Sequence, residues 1–297
     1  MNWTTLPERS SRFWILLMIH ITRLVGQRIA RLLLYPISLY FVLINNHNRE
    51  AACRYFSHVL DHAPTLTDHF RHYHTFASTL FDRMMILSRS EYYIKTRIIG
   101  LEHLDAIHAS GKGCLLLGSH LGSFDILRMM GKTRAGLKVK TVMFGEATPQ
   151  LVEIFQSINP DLHEDIVTIP GPAGIVGLAP EVKSGLMLGL LGDRVLPRER
   201  SLTLSFMGEP ASFPTTAGYL SEVLEVPVLQ FFCLHTGWGR YDIVFLPLIS
   251  ALGRPREGRD ARVRQITSEF VANLETYAGK YPYNWFNFHD VWSTPSD

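Results

Sequence analysis

From residue 93 onward, apolar runs of four to eight residues alternate with longer stretches in which apolar positions recur every three or four residues. The first pattern is that of a buried strand and the second that of a helix packed on one face. Together they predict strands at 94–99, 114–118, 138–144, 165–169, 186–191, 202–206, 227–234 and 241–247, and helices at 124–131, 148–157, 173–184, 215–225 and 256–279. Such alternation specifies an α/β layered domain with a mixed, largely parallel sheet flanked by helices, its last strands antiparallel. No repeat, low-complexity tract or linker divides residues 46–297, which are expected to form one domain.

Before this region lies a different pattern. Residues 14–44 are strongly apolar, but Arg23, Gln27, Arg28 and Arg31 interrupt them midway. An arginine at a bilayer centre costs about 2.5–3.5 kcal/mol on insertion scales, and the uninterrupted piece, 32–44, falls short of the roughly 20 residues that span. On a helical wheel His20, Arg23, Gln27 and Arg31 share one face, with Ile21, Val25, Ile29 and Leu32 opposite. That describes a helix lying in the membrane plane, its arginines meeting anionic headgroups of the cytoplasmic leaflet. The competing reading is a buried core helix. Pro36 is expected to bend or end the first helix, and no small-residue cleavage site follows the apolar run. Residues 1–45 are thus expected to be a membrane-associated helical anchor.

Composition narrows the function classes. A chain of 297 residues can bury a full core, and a net charge of +2 gives no footprint for nucleic acid. An apolar fraction of 46% fits a protein with some surface facing lipid. Cys53, Cys114 and Cys233 are far apart, which argues for a reducing compartment and against a disulfide or zinc framework. His58, His62, His69, His72 and His74 cluster at helical spacing. No acidic residue completes a metal motif there, and they read as surface histidines of amphipathic helices, so no metal is expected.

The chemistry concentrates in the segment Gly113-Cys114-Leu115-Leu116-Leu117-Gly118-Ser119-His120-Leu121-Gly122-Ser123-Phe124-Asp125. Residues 114–117 form a continuous apolar run, a strand buried on both faces. Ser123 is a good N-cap, with apolar residues at helical spacing behind it. His120 then stands at the carboxyl end of the strand and Asp125 in the first helical turn, so an imidazole and a carboxylate can converge as a general base. About one His-x4-acid pair is expected by chance among 13 histidines and 27 acidic residues, so the strand-end context supplies the specificity. A second apolar run, 186–191, ends in Gly192-Asp193-Arg194, and a third strand end is followed by Glu146. Ligands of open α/β sheets collect outside the carboxyl ends of strands, so these residues are expected to share one crevice. A nucleophile elbow, a Walker loop and a dinucleotide fingerprint are all absent. Cys114, inside the strand, reads as packing.

At these residues the chain resembles the glycerolipid and lysophospholipid acyltransferase superfamily, and G-S-H-L-G-S-F-D is closest to its bacterial branch, the lipid A late acyltransferases. Leu191-Gly192-Asp193-Arg194, Phe206-Met207-Gly208-Glu209-Pro210-Ala211, and Pro282-Tyr283-Asn284-Trp285 with Trp292 resemble later blocks of that branch, in order, from about residue 10 to the C-terminus. Many relatives carry Gln where this chain has Arg194. The resemblance implies a thioester donor, acyl carrier protein or acyl-CoA, a lipid or glycolipid acceptor, and a place on the cytoplasmic face of a bacterial inner membrane, with no metal or tightly bound organic cofactor. In this reading His120 takes the acceptor's proton and Asp125 stabilises the imidazolium. The amides of Gly122 and Ser123 hold the oxyanion with Arg194, and Asp193 orients that arginine. Ser119 and Glu146 complete the substrate-side set, and Arg198 and Arg200 are expected either to dock the acidic surface of the carrier protein or to lie in a solvated loop. A thioesterase using the same base on water, and a silent lipid-binding scaffold, are the alternatives.

Overall fold

The computed structural model describes residues 12–44, 46–87, 94–124, 126–127, 137–144, 166–169, 172–196, 199–248 and 258–292. Among them, seven strands form one sheet: β1 (Lys95–Ile99), β2 (Leu115–Gly118), β3 (Lys138–Phe144), β4 (Ile166–Ile169), β5 (Leu186–Leu191), β8 (Val228–Gly237) and β9 (Arg240–Leu248). Their order is β1-β9-β8-β2-β5-β3-β4, with every neighbouring pair parallel except the β8–β9 hairpin. The expected α/β architecture is therefore observed, antiparallel end included.

The centre of the sheet explains its sequence. β2 is buried at all four positions, with Leu115 and Leu117 packing into one core and Cys114 and Leu116 into the other. A strand covered on both faces has no solvent side to alternate with, hence the unbroken apolar run. Each fully buried leucine contributes about 1.5–3 kcal/mol. One face is closed by the long C-terminal helix Arg259–Lys280, which buries Val263, Ile266, Phe270, Leu274 and Ala278 at helical spacing. The other collects Leu104 from helix α6 (Leu101–Ala109) with Met187, Phe231 and Ile243 of the sheet.

One strand was not expected, and one helix is corrected. Residues 209–214 form a further strand, β7 (Glu209–Pro214), paired antiparallel with β6 (Ser201–Phe206) outside the main sheet. Its two prolines disguise it, and a two-stranded edge ribbon tolerates them because their missing donors face no ladder partner. The helix expected at 173–184 is a 3-10 segment, Pro172–Leu178, followed by α7 (Ala179–Lys183). The helix expected at 148–157 lies outside the described residues, as does most of that at 124–131. Helix α8 (Thr216–Leu224) matches its expected bounds closely, and the helix at 259–280 is α9.

Among the described residues the N-terminal region comprises three helices, α1 (Arg12–Val25), α2 (Gln27–Leu32) and α3 (Leu34–Ile44). The breaks fall at Gly26, whose φ of 82° suits glycine, and at Leu33, next to the Leu32 carbonyl for which Pro36 has no N–H, so Pro36 interrupts the helix as expected. It sits in the first turn of α3, where its missing N–H has no intrahelical acceptor to lose. Val25, Ile29 and Leu32 are exposed as expected, together with Leu33, Tyr35, Ile37, Leu39, Tyr40, Leu43 and Ile44. By length and composition Gln27–Ile44 is apolar enough to cross a membrane. Arg31 does not meet headgroups: it is 4% exposed, ion-paired to buried Asp82, and lies over the rings of Phe81 and Trp238. Asp82 sits on α5 (Leu66–Leu87), against which α3 also packs through Phe41 stacked on Tyr73. A burial cost this large for a guanidinium is tolerable only with a carboxylate in contact. The histidines are corrected in part, since His69 and His72 are buried on the inner face of α5, whereas His62 is exposed as expected.

Candidate active site

β2 and β5 run parallel with Gly118 opposite Leu191. The chain leaves both strands at the same edge, and the Gly192 N–H donates to the Gly118 carbonyl at 2.9 Å, prolonging the ladder by one step. His120 lies two residues beyond one strand and Asp193 two beyond the other, so register alone sets them side by side. The His120 backbone N–H donates to Asp193 Oδ2 at 2.9 Å, and Nδ1 lies 2.8 Å from Oδ1. An ionised carboxylate only accepts, so Nδ1 carries the proton and Nε2 keeps its lone pair. The Asp193 side chain is fully buried, whereas that of His120 is 27% exposed.

The electrostatics follow from this geometry. Burial alone would raise the Asp193 carboxyl, but the His120 and Arg194 charges and the hydrogen bonds from His120 and Trp285 hold it well below the usual carboxylate range. Burial, reinforced by Arg194, pushes His120 below the ordinary imidazole value despite the opposite pull of Asp193. The result is a neutral imidazole beside a permanent anion, a combination suited to accepting a proton near neutrality.

A segment from the other end of the chain completes the site. The Gly122 N–H donates to the Asn284 carbonyl and the Phe286 N–H to the His120 carbonyl, each at 2.9 Å, so residues 284–286 run beside the His120 turn like an extra strand. Trp285, 1% exposed, donates its indole N–H to Asp193 Oδ2 at 3.0 Å. Its carbonyl accepts from His72 Nε2 at 2.8 Å, and its ring packs edge-on against Tyr55 and Phe206. Asn284 accepts from the His235 N–H at 2.7 Å and donates back to the His235 carbonyl at 3.2 Å, fastening the segment to β8. Arg194 Nε donates to Asn287 Oδ1 at 3.1 Å, and one terminal nitrogen lies 3.4 Å from the Phe286 carbonyl. Burial and the Arg194 charge push neighbouring His289 down to about 4.

Of the residues expected from the sequence, His120, Asp193 and Arg194 are thus brought together. Asp193, expected to orient Arg194, directs its two oxygens to His120 and Trp285. Ser119 is buried and accepts the Leu121 N–H at 3.3 Å. Gly122 has φ 91°, and a Cβ there would lie 2.1 Å from the Cys233 carbonyl oxygen, so glycine is required. Its amide is engaged by Asn284, and the Ser123 amide donates to the Cys233 carbonyl at 2.9 Å. The two backbone donors expected for an oxyanion are therefore already satisfied within the protein. Asp125, Glu146 and Arg198 lie outside the described residues. Arg200 is exposed, over the Tyr219 ring. Cys114 is buried, its thiol pushed up to about 12 by burial, as packing requires.

Asn284, Trp285, Asn287 and His289 belong to the site although periodicity did not point to them. The available signal was two asparagines and a histidine set in an aromatic run directly after the last helix, where nothing in the pattern calls for polar residues. No curated protein matches the chain. The model of the family described as bacterial lipid A biosynthesis acyltransferase matches residues 7–294, nearly the whole chain, and the protein belongs to this family of membrane-associated acyltransferases acting in lipid biosynthesis.

Proposed function

We propose that the protein moves a fatty-acyl group from a thioester, carried by acyl carrier protein, to a hydroxyl or amine of a lipid or glycolipid acceptor. It does so at the cytoplasmic face of the inner membrane, with residues 1–45 as anchor and 46–297 as catalytic α/β domain. The observation that carries this reading is the 2.8 Å contact of His120 Nδ1 with fully buried Asp193, which leaves Nε2 as the proton acceptor. In the reaction, Nε2 takes the acceptor's proton as its oxygen or nitrogen attacks the thioester carbonyl. Asp193 stays ionised and stabilises the imidazolium, which then protonates the departing thiolate as the tetrahedral intermediate collapses. Arg194, one residue on, opposes the charge that develops on the carbonyl oxygen. Atoms balance between donor and acceptor alone, so no step calls for a metal or organic cofactor. The exposed apolar positions of α2 and α3 support the anchor, and exposed Arg28 supplies charge toward anionic headgroups.

The test is an assay of the full chain in anionic vesicles, with a long-chain acyl carrier protein and total lipid extract as acceptor, read by mass spectrometry. Acylated lipid formed only when both substrates are present supports the reading. Free fatty acid released at the full rate without acceptor would instead identify a thioesterase.

A further inference from the structure

Asn287 is 5% exposed, and only half of its carboxamide has a partner. Oδ1 accepts from Arg194 Nε at 3.1 Å. A guanidinium has no acceptor, so this contact decides which end of the amide is oxygen. Nδ2 is the other end, closed off from solvent and without a hydrogen-bond partner among the described residues. Buried donors are rarely left so, because the group forfeits its hydration for nothing.

Its surroundings give the orphan donor a purpose. The residue before it is bonded through its N–H to the His120 carbonyl, and its own oxygen grips the arginine that follows Asp193. The amides of Gly122 and Ser123 are committed to Asn284 and Cys233. The centre thus holds a base and a cation, while the backbone donors expected for the carbonyl oxygen are occupied. We infer that Asn287 Nδ2 is a neutral donor to the thioester carbonyl oxygen, acting beside Arg194 and strengthening as that oxygen becomes an oxyanion. Asn287 is then a catalytic residue, and the inference rests on the acyl-transfer reading above. Holding Arg194 by Oδ1 lines up both donors, one charged and one neutral, through a single side chain.

Asn287→Asp keeps the acceptor for Arg194 and removes the donor, whereas Asn287→Ala removes both. Both are expected to lower kcat by about 100- to 1,000-fold with KM nearly unchanged, as for an oxyanion contact made chiefly in the transition state. If the Asp variant runs at the wild-type rate while Ala is impaired, Asn287 merely positions Arg194 and the inference is overturned, as it is if both match wild type. A crystal structure of the wild-type protein with a phosphonate analogue of the acyl thioester needs no variant. Nδ2 should stand about 2.7–3.1 Å from a phosphonyl oxygen, and a separation beyond hydrogen-bonding reach overturns the assignment whatever the variants do. Failure of the underlying reading looks different, since wild type itself would then transfer no acyl group.

Discussion

His120 and Asp193 are 73 positions apart in the chain, yet the carboxylate of one touches both the backbone N–H and the ring Nδ1 of the other. The double contact fixes the turn and the ring together, so the imidazole cannot swing without also breaking a main-chain hydrogen bond. Such a holder sets tautomer, orientation and charge at once.

Removing the base should abolish transfer without unfolding the protein. His120→Ala is expected to lose about 100- to 10,000-fold in kcat, the usual worth of general base catalysis. Asp193→Asn should lose on the order of 1,000- to 10,000-fold, because an amide favours the wrong tautomer. Asp125→Asn in the same assay decides between the carboxylates: a loss equal to that of Asp193→Asn would return Asp125 to the central role.

The pH profile carries a sign. Nε2 must be neutral to act, and burial with Arg194 holds His120 below its ordinary 6.5, so kcat/KM should rise with pH to a midpoint below 6.5 and then level off. Arg194→Ala should move that midpoint up and Asp193→Asn should move it down. A midpoint that ignores both substitutions would show that another group limits the rate.

Arg194 itself should act on the transition state. Arg194→Ala is expected to lower kcat by about 100- to 1,000-fold with little change in KM. Arg194→Lys should remain poor, since a lysine keeps the charge but has no Nε to place on Asn287 Oδ1. A raised KM with kcat preserved would instead mean that the arginine grips a substrate phosphate or carboxylate.

Arg31 and Arg28 should part company. Removing Arg31 leaves the buried Asp82 carboxylate without that guanidinium, with the Tyr241 hydroxyl still donating to it, and Arg31→Ala should cost about 3–5 kcal/mol in a denaturation assay. Exposed Arg28 has no such burden. Arg28→Glu should leave stability unchanged and weaken binding to anionic vesicles, an effect erased by salt.

Mild acid should destabilise the fold. His72, His235 and His289 are pushed by burial to about 4. The unfolded chain takes up their protons from about 6.5 downward while the native state does not, so stability is full above that value and falls toward pH 4. Depressed Asp193 extends the loss to lower pH, below the ordinary carboxylate range. Melting temperature measured across this window checks the sign, and a flat profile would contradict it.

Much of the architecture was legible in local pattern. A strand buried on both faces must be continuously apolar, so residues 115–117 and 186–191 announced themselves, and the β8–β9 pair was bounded to within a few residues. β7 was illegible because edge pairing tolerates the very prolines that mark a loop, and the further helix break at Gly26 was not expected because a single glycine inside an apolar run is compatible with a continuous helix. Composition also misjudged depth. Arg31, His69 and His72 are polar by type, and only the packing of α5 against its neighbours showed that each is buried.

For the site, the sequence by itself determined that His120, Asp193 and Arg194 stand at the polar ends of two buried strands. It could not determine which carboxylate His120 meets, because a partner five residues away in a turn and one across a parallel ladder are equally compatible with periodicity. The Gly118–Leu191 register decided that Asp193 is in contact. Tertiary structure also decided the role of residues 284–287, whose hydrogen bonds reach His120, Gly122, Asp193 and Arg194 from the far end of the chain. Local pattern reports which face a side chain buries, whereas partner choice between distant segments is a property of register and crossing geometry that no single window of residues contains.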